Sequence, residues 1–206
     1  MKQDKLLTSI PRSGTDDELQ RRGFDLYREY LEIVTRAGFD PAAPVLELAG
    51  GPGRASAVLS RLGFTVLAGD LSLEKYPELM RRVTPAFASQ VTTVQLDMER
   101  LPLRDHSCPS VLSLNTIHEL RDPFACVFEL VRVHQSDGPL VLSDFSKHGF
   151  EVMEEVHRAV HGKGHFQGTV GLPSLVPILR QRYREVDRFE TPLNTAYIFR
   201  GKRPRL

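Results

Sequence analysis

The sequence predicts a doubly wound α/β domain: a mostly parallel seven-stranded sheet, helices on both faces, and an antiparallel terminal hairpin. Three observations predict it. Short apolar runs alternate with segments whose apolar residues recur at helical spacing, the pattern of strands joined by crossover helices. The first run, Val45-Leu46-Glu47-Leu48, is nearly continuous in apolar character, as suits a strand covered on both faces, and it breaks into Ala49-Gly50-Gly51-Pro52-Gly53 before a helical pattern resumes. The chain ends in two strand-like runs joined by a turn through Pro192 and Asn194. Right-handed crossovers then place a cleft at the carboxyl ends of the strands.

In chain order, residues 1–14 carry Pro11, Ser13 and Gly14 and read as an extended arm. Thr15 and Glu18 form a capping-box pattern for one helix, in which Tyr27, Tyr30, Leu31 and Val34 share a face until Gly38 stops it. After the glycine loop, Ala55, Val58, Leu59 and Leu62 make a helical stripe ended by Gly63, and residues 65–68 form a second strand closing on Gly69-Asp70. Ser72 can cap a helix to about Val83, irregular at Pro77. Residues 91–96 are the third strand, 98–109 a loop, and 110–114 the fourth strand. Asp122-Pro123 starts a helix with Phe124, Val127, Phe128 and Val131 on one face. Strand five covers 140–143 and ends on Asp144, a helix spans roughly 150–161 before Gly162 and Gly164, and a short helix starts at Pro173. Residues 185–190 and 196–201 make the hairpin. The whole reads as a single domain: an N-terminal arm and helix (1–40), a core (45–144), a segment over the cleft mouth (145–183) and the hairpin (184–201).

With 206 residues, 41% hydrophobic and 26% charged, and a net charge of +1, composition suits a globular domain with no general attraction to polyanions. Cys108 and Cys126 form no framework, the first residues lead to no apolar signal segment, and no run is long enough to span a membrane. A cytoplasmic protein without membrane partners is expected.

The glycine loop presents backbone N–H groups at a helix N-terminus, with Pro52 fixed in φ and lacking a donor. Asp70 follows Gly50 by twenty residues at the end of the second strand, where a carboxylate can accept both ribose hydroxyls of a nucleoside. Asp97-Met98, after the third strand, offers an acceptor for an exocyclic amine and a soft apolar surface for a purine ring. His157, His161 and His165 stand at steps of four, which on an unbroken helix would invite a metal. Gly162 and Gly164 break that helix, so no metal is expected.

With these residues in place the chain resembles the class I S-adenosylmethionine-dependent methyltransferases, which have a Rossmann-like fold. Glu47 through Gly53 is similar to that family's acidic residue and glycine loop, with Ala49 where glycine is more usual. Asp70 matches its ribose-binding acid, and Asp97-Met98 with Leu101-Pro102-Leu103 resembles its adenine-side motif. Residues 112–120, with Asn115 and His118, resemble its fourth strand and the loop facing the methyl donor. Glu129-Leu130-Val131-Arg132-Val133 with Gly138 resembles its Glu-x-x-Arg-Val helix end, although His134–Asp137 departs from the usual turn.

The resemblance implies strand order 3-2-1-4-5-7-6. It implies S-adenosylmethionine as donor and S-adenosylhomocysteine as product. It also implies a donor site of Glu47, Ala49, Gly50, Gly51, Gly53, Asp70, Leu71, Asp97, Met98 and Asn115, with Leu71 and Met98 enclosing adenine. A sulfonium methyl needs an in-line nucleophile, and a base only where the acceptor carries a proton. Candidates for that base are His118, Asp144 and His157, with Glu119 beside them. The leading expectation is methyl transfer to a small-molecule acceptor. An RNA or protein methyltransferase is suggested only by Arg200, Lys202, Arg203 and Arg205, and a non-catalytic donor-binding protein is the third reading. A nicotinamide dehydrogenase would want a third loop glycine where Ser56 stands.

Overall fold

The computed structural model describes residues 6–204. Its centre is a seven-stranded sheet of order β3-β2-β1-β4-β5-β7-β6, as expected from the resemblance. The strands are β1 (Val45–Leu48), β2 (Val66–Asp70), β3 (Val91–Gln95), β4 (Ser110–Leu114), β5 (Leu140–Phe145), β6 (Tyr183–Glu190) and β7 (Asn194–Lys202). The first five are parallel, and β7 runs antiparallel to both β5 and β6.

Alternation along the central strands sorts side chains into two apolar layers. Val45, Leu112 and Val141 enter one layer; their neighbours Leu46, Val111, Leu140 and Leu142 enter the other. The first layer is covered by α2 (Leu26–Ala37), α3 (Arg54–Arg61), α4 (Tyr76–Val83) and α6 (Lys147–His161); the second by α5 (Pro123–Val133) and α7 (Leu172–Arg182). This is why β1, β4 and β5 are buried at every position and read as largely apolar.

Several elements differ from expectation. The N-terminal helix is two: α1 (Gly14–Arg21) and α2 are separated at Gly23, whose φ of 89° no helix tolerates, and Asp25 caps the second by accepting from the Tyr27 and Arg28 N–H groups. The capping box is formed by Ser13 and Asp16, not Thr15 and Glu18. In the described part of the arm, Leu7 and Ile10 are buried in the first layer; residues 1–5 lie outside the described residues. Helix α4 begins at Tyr76 without a Ser72 cap, because Pro77 belongs in its first turn. The buried face of α5 is Cys126, Val127, Leu130 and Val133, which meet α7 residues, while Phe124 and Phe128 are exposed. Ser146 caps α6 three residues before its expected start.

The loop between β3 and β4 is held by one side chain. Arg132 pairs with Glu129 (2.6 Å) and Asp105 (2.8 Å) and donates to the Leu101 and Leu103 carbonyls (2.8 and 2.7 Å). Gly138 is obligatory, since a Cβ there would lie 1.7 Å from the Pro109 carbonyl oxygen. These contacts explain the helix-end motif as a clamp on the loop that follows Asp97.

Candidate functional site

Strand β1 delivers Glu47 to the carboxyl edge of the sheet, and the chain then turns through Ala49, Gly51 and Gly53 at φ of 53°, 49° and 79°. At Gly50 a Cβ would stand 2.8 Å from Glu47 Oε1, so the backbone is bare where the carboxylate passes beneath it. Gly53 plays a structural part: a Cβ there would meet Leu79 Cα at 2.9 Å, and the residue opens α3 without a side-chain cap. Glu47 is buried and accepts a hydrogen bond from the Ser56 hydroxyl. Burial pushes its carboxyl up to about 7, with the Asp70 charge adding to the rise and the Ser56 hydroxyl opposing it.

Asp70 stands opposite the turn. Its Oδ2 accepts from the Gly51 N–H at 2.8 Å and its Oδ1 from the Ser72 N–H at 3.2 Å, which fixes the carboxylate and leaves further lone pairs for a ligand. Beside it Leu71 is 65% exposed, with Leu73 and Tyr76 also exposed. Asp97, exposed, accepts from the Glu99 N–H at 2.9 Å. Met98 departs from its expected place: only 6% exposed, it packs in the second apolar layer with Leu96 and Leu101, so the open apolar ledge near Asp70 comes from Leu71, Leu73 and Tyr76.

Asn115 follows β4 at φ 53°, a conformation that asparagine accepts more readily than most residues. Its Nδ2 donates to the Tyr30 hydroxyl at 3.1 Å, and its Oδ1 is buried with no hydrogen-bond partner. Glu47, Ala49, Gly50, Gly51, Asp70 and Asn115 line one cavity of about 590 Å³. A bare turn, a fixed carboxylate, an apolar ledge and a buried acceptor wanting a donor fit the amino-acid, ribose and adenine parts of an adenosyl donor.

The far wall of the cavity is histidine-rich. Asp144, at the end of β5, accepts from the His118 backbone N–H at 3.1 Å, and its Oδ1 lies 2.5 Å from His118 Nδ1. His118 is 1% exposed, its ring edge-on to Phe150 with centroids 5.0 Å apart. It does not itself line the cavity; Glu119, His157, His161 and His165 do. Helix α6 ends at His161, with Gly162 at φ 70°, so the glycines break the helix as expected. The chain then doubles back. The His165 N–H donates to Glu154 Oε2 (2.6 Å) and the Gly168 N–H to the His118 carbonyl (2.8 Å), which brings His165 Nε2 within 3.1 Å of His118 Nε2 and its Nδ1 within 3.4 Å of His157 Nδ1. Burial, then the neighbouring His157 and His118, pushes His165 down to about 4; burial and the His161 charge also lower His157. His165 borders a second cavity of about 660 Å³ that includes Asp144 and Phe150.

Helix α1 roofs the cavity. Thr15 Oγ1 lies 3.1 Å from His161 Nε2, and Arg22 pairs with Glu155 of α6. Asp16, buried, joins the roof to the donor side: it accepts from Arg54 at 2.7 Å, Arg82 at 3.0 Å and the Tyr27 hydroxyl at 3.2 Å. Burial alone would raise the Asp16 carboxyl, but these cations hold it well below the usual carboxylate range. Sequence reading assigned none of Asp16, Arg54 and Arg82 to this region. Their separations of 38 and 66 residues leave no local signal.

A glycine turn at the β1 edge, an acid at the β2 edge and a sheet of order 3-2-1-4-5-7-6 agree with the resemblance to the class I S-adenosylmethionine-dependent methyltransferases. Residues 46–142, just under half of the chain, match the family model described as a methyltransferase domain. An uncharacterized protein of Mycobacterium tuberculosis is 31% identical over 121 residues, 57% of this chain and 43% of that protein. The ubiquinone/menaquinone biosynthesis C-methyltransferase of Shewanella halifaxensis is 29% identical over 141 residues, 65% of this chain and 55% of that one. The chain thus spans about half the length of these curated relatives. A solved S-adenosylmethionine-dependent methyltransferase from Aquifex aeolicus shares the fold with a TM-score of 0.61 at 19% identity, over 87% of this chain and 95% of that one. Among the described residues no helix is long and apolar enough to cross a membrane.

Proposed function

We propose that this chain transfers the methyl group of S-adenosylmethionine to a small-molecule acceptor. The observation that carries this reading is the cavity of about 590 Å³ at the sheet edge, in which the donor turn and Asp70 face a roof made by α1 and α6 of the same chain. A roofed cavity of this size suits a small acceptor better than a polymer. The ubiquinone/menaquinone enzyme among its relatives is named for methylation in quinone biosynthesis, which supports an acceptor of modest size.

The donor supplies an electrophilic methyl group. This chain's own contribution is to hold, orient and dehydrate. Asp70 and the backbone of residues 49–51 bind the adenosyl and amino-acid ends, Asn115 Oδ1 accepts from the ligand, and the apolar side chains Leu26, Phe145, Met153 and Val160 exclude water from the acceptor's place. An acceptor that loses a proton gives it to His157, which reaches the cavity, while His118, held by Asp144, stands behind His165.

Of the four basic residues behind the RNA or protein reading, Arg200 and Lys202 are engaged within the fold and Arg203 is exposed. Arg200 pairs with Asp187 and donates to the Arg36 and Ala37 carbonyls, while Lys202 is buried on the His134 carbonyl; Arg205 lies outside the described residues. The test uses methyl-labelled donor with a cell extract split into metabolite, RNA and protein fractions. Label should enter the metabolite fraction. Label confined to RNA or protein, or absent from all three, contradicts the proposal.

A further inference from the structure

Three potential ligand atoms from His118, Glu119 and His165 lie within 4.8 Å of one another at the cavity wall. We propose that they form a binding site for a divalent zinc-class metal ion, with Nε2 of both histidines and the Glu119 carboxylate as ligands. The proposal rests on the reading above only for the identity of the cavity it faces.

The tautomers favour it. Asp144 accepts from His118 Nδ1, so that nitrogen holds the proton and Nε2 presents a lone pair. His165 Nε2 lies 3.1 Å from His118 Nε2. Two ligands at zinc distance and a tetrahedral angle stand about 3.3 Å apart, so a small outward shift admits the ion. Once Nε2 of His165 is metallated, its Nδ1 keeps a proton and faces His157 Nδ1 at 3.4 Å, which can accept it. Each ligating ring is thereby held by a partner behind it, a carboxylate for one and an imidazole for the other, as metal-ligating histidines require.

Charge and placement agree. Asp144 and Glu119 bring two carboxyl groups to the two imidazoles. Glu119 Oε1 is 3.7 Å from His118 Nε2 with half of its side chain exposed, so it can close on the ion without unpacking the core. The bond from Gly168 to the His118 carbonyl ties the loop to its opposite ligand, and a Cβ at Gly168 would come within 2.7 Å of that oxygen. His157, Glu119 and His165 all border the cavity. Three protein ligands leave a fourth position facing it, where a hydroxyl or thiol of an acceptor would bind and lose its proton more readily.

The test uses the full chain without a histidine tag, stripped with chelator and titrated with Co²⁺ as a spectroscopic substitute for Zn²⁺. Wild type should take up one equivalent and show visible d–d bands without thiolate charge transfer, because Cys108 and Cys126 are absent from the ligand set. Zn²⁺ should raise its melting temperature. His165→Ala should lose at least tenfold in metal affinity while melting cooperatively, and Glu119→Gln should weaken binding with its spectrum altered. His118 is deeply buried, so it is left intact. No uptake by wild type, or bands unchanged in His165→Ala, means a hydrogen-bonded histidine pair only and overturns the proposal. S-adenosylhomocysteine titrated into the same samples separates the two readings: binding without metal uptake refutes only the metal site, and metal uptake without binding refutes only the methyltransferase reading.

Discussion

At Ala49 a side chain occupies a backbone conformation that favours glycine, with φ of 53°. Ala49→Gly should therefore stabilise the fold by about 1 kcal/mol, read as a rise of about 2–4 °C in melting temperature. Glu47 gives a residue-scale pH dependence. Its folded carboxyl titrates at about 7, above the ordinary 4.5, so the fold prefers it protonated. That preference is fully expressed below pH about 4.5 and is lost as pH rises through about 7, costing up to about 3 kcal/mol between those limits. Unfolding by denaturant at pH 5 and pH 8 should show stability falling with pH, and Glu47→Gln should flatten that slope. Both residues were legible in the sequence as members of a loop, because glycine spacing and a preceding acid are local signals. The strain at Ala49 and the burial of Glu47 were not, since each depends on neighbours elsewhere in the fold.

Among the elements, the sheet strands were readable because burial on both faces leaves largely apolar runs, as in β1 and β4. Helices were harder. The stripe Tyr27, Tyr30, Leu31 and Val34 identified α2, but continuity was wrongly extended back through Gly23, where a left-handed residue and the Asp25 cap start a new helix. In α5 two candidate apolar faces overlap, and contact with α7 selects Cys126, Leu130 and Val133 over Phe124 and Phe128. One buried carboxylate joins α2 to the hairpin: Glu29 accepts from the Leu193 N–H at 3.0 Å, the Asn194 Nδ2 at 2.5 Å and the Thr191 hydroxyl. Glu29→Ala should destabilise by about 2–4 kcal/mol, measured by urea unfolding followed by circular dichroism, because three buried donors lose their acceptor. Glu29→Gln, which keeps an acceptor, should cost less.

Across the whole molecule, the strand order followed from a resemblance spread over half the chain and the position of the cleft from the strand–helix alternation, and the sheet has that order. A segment over the cleft mouth at 145–183, and His118, Asp144 and His157 as bases, were expectations of the sequence; the side-chain contacts that assemble the roof and the histidine wall were not legible. His118 and His165 are 47 residues apart, and Asp16 and Arg82 are 66 apart; the helix break at Gly162 and Gly164 removes the step-of-four spacing that would group His165 with His157 and His161. The Asp16 network holds α1 over the cavity from the donor side. Asp16→Ala removes one of the two carboxylates paired with buried Arg82, leaving Glu78 in place, and should cost about 1–3 kcal/mol in urea unfolding.

The central claim is that the turn at residues 49–53 and Asp70 form an adenosyl site. Its most direct test is calorimetric titration of S-adenosylhomocysteine into wild type and Asp70→Ala, with thermal melting of both. The account predicts saturable binding by wild type at micromolar concentrations, at least tenfold weaker binding by the variant, and a much smaller change in its melting temperature. No binding by wild type, or equal loss of binding and folding in the variant, would contradict it.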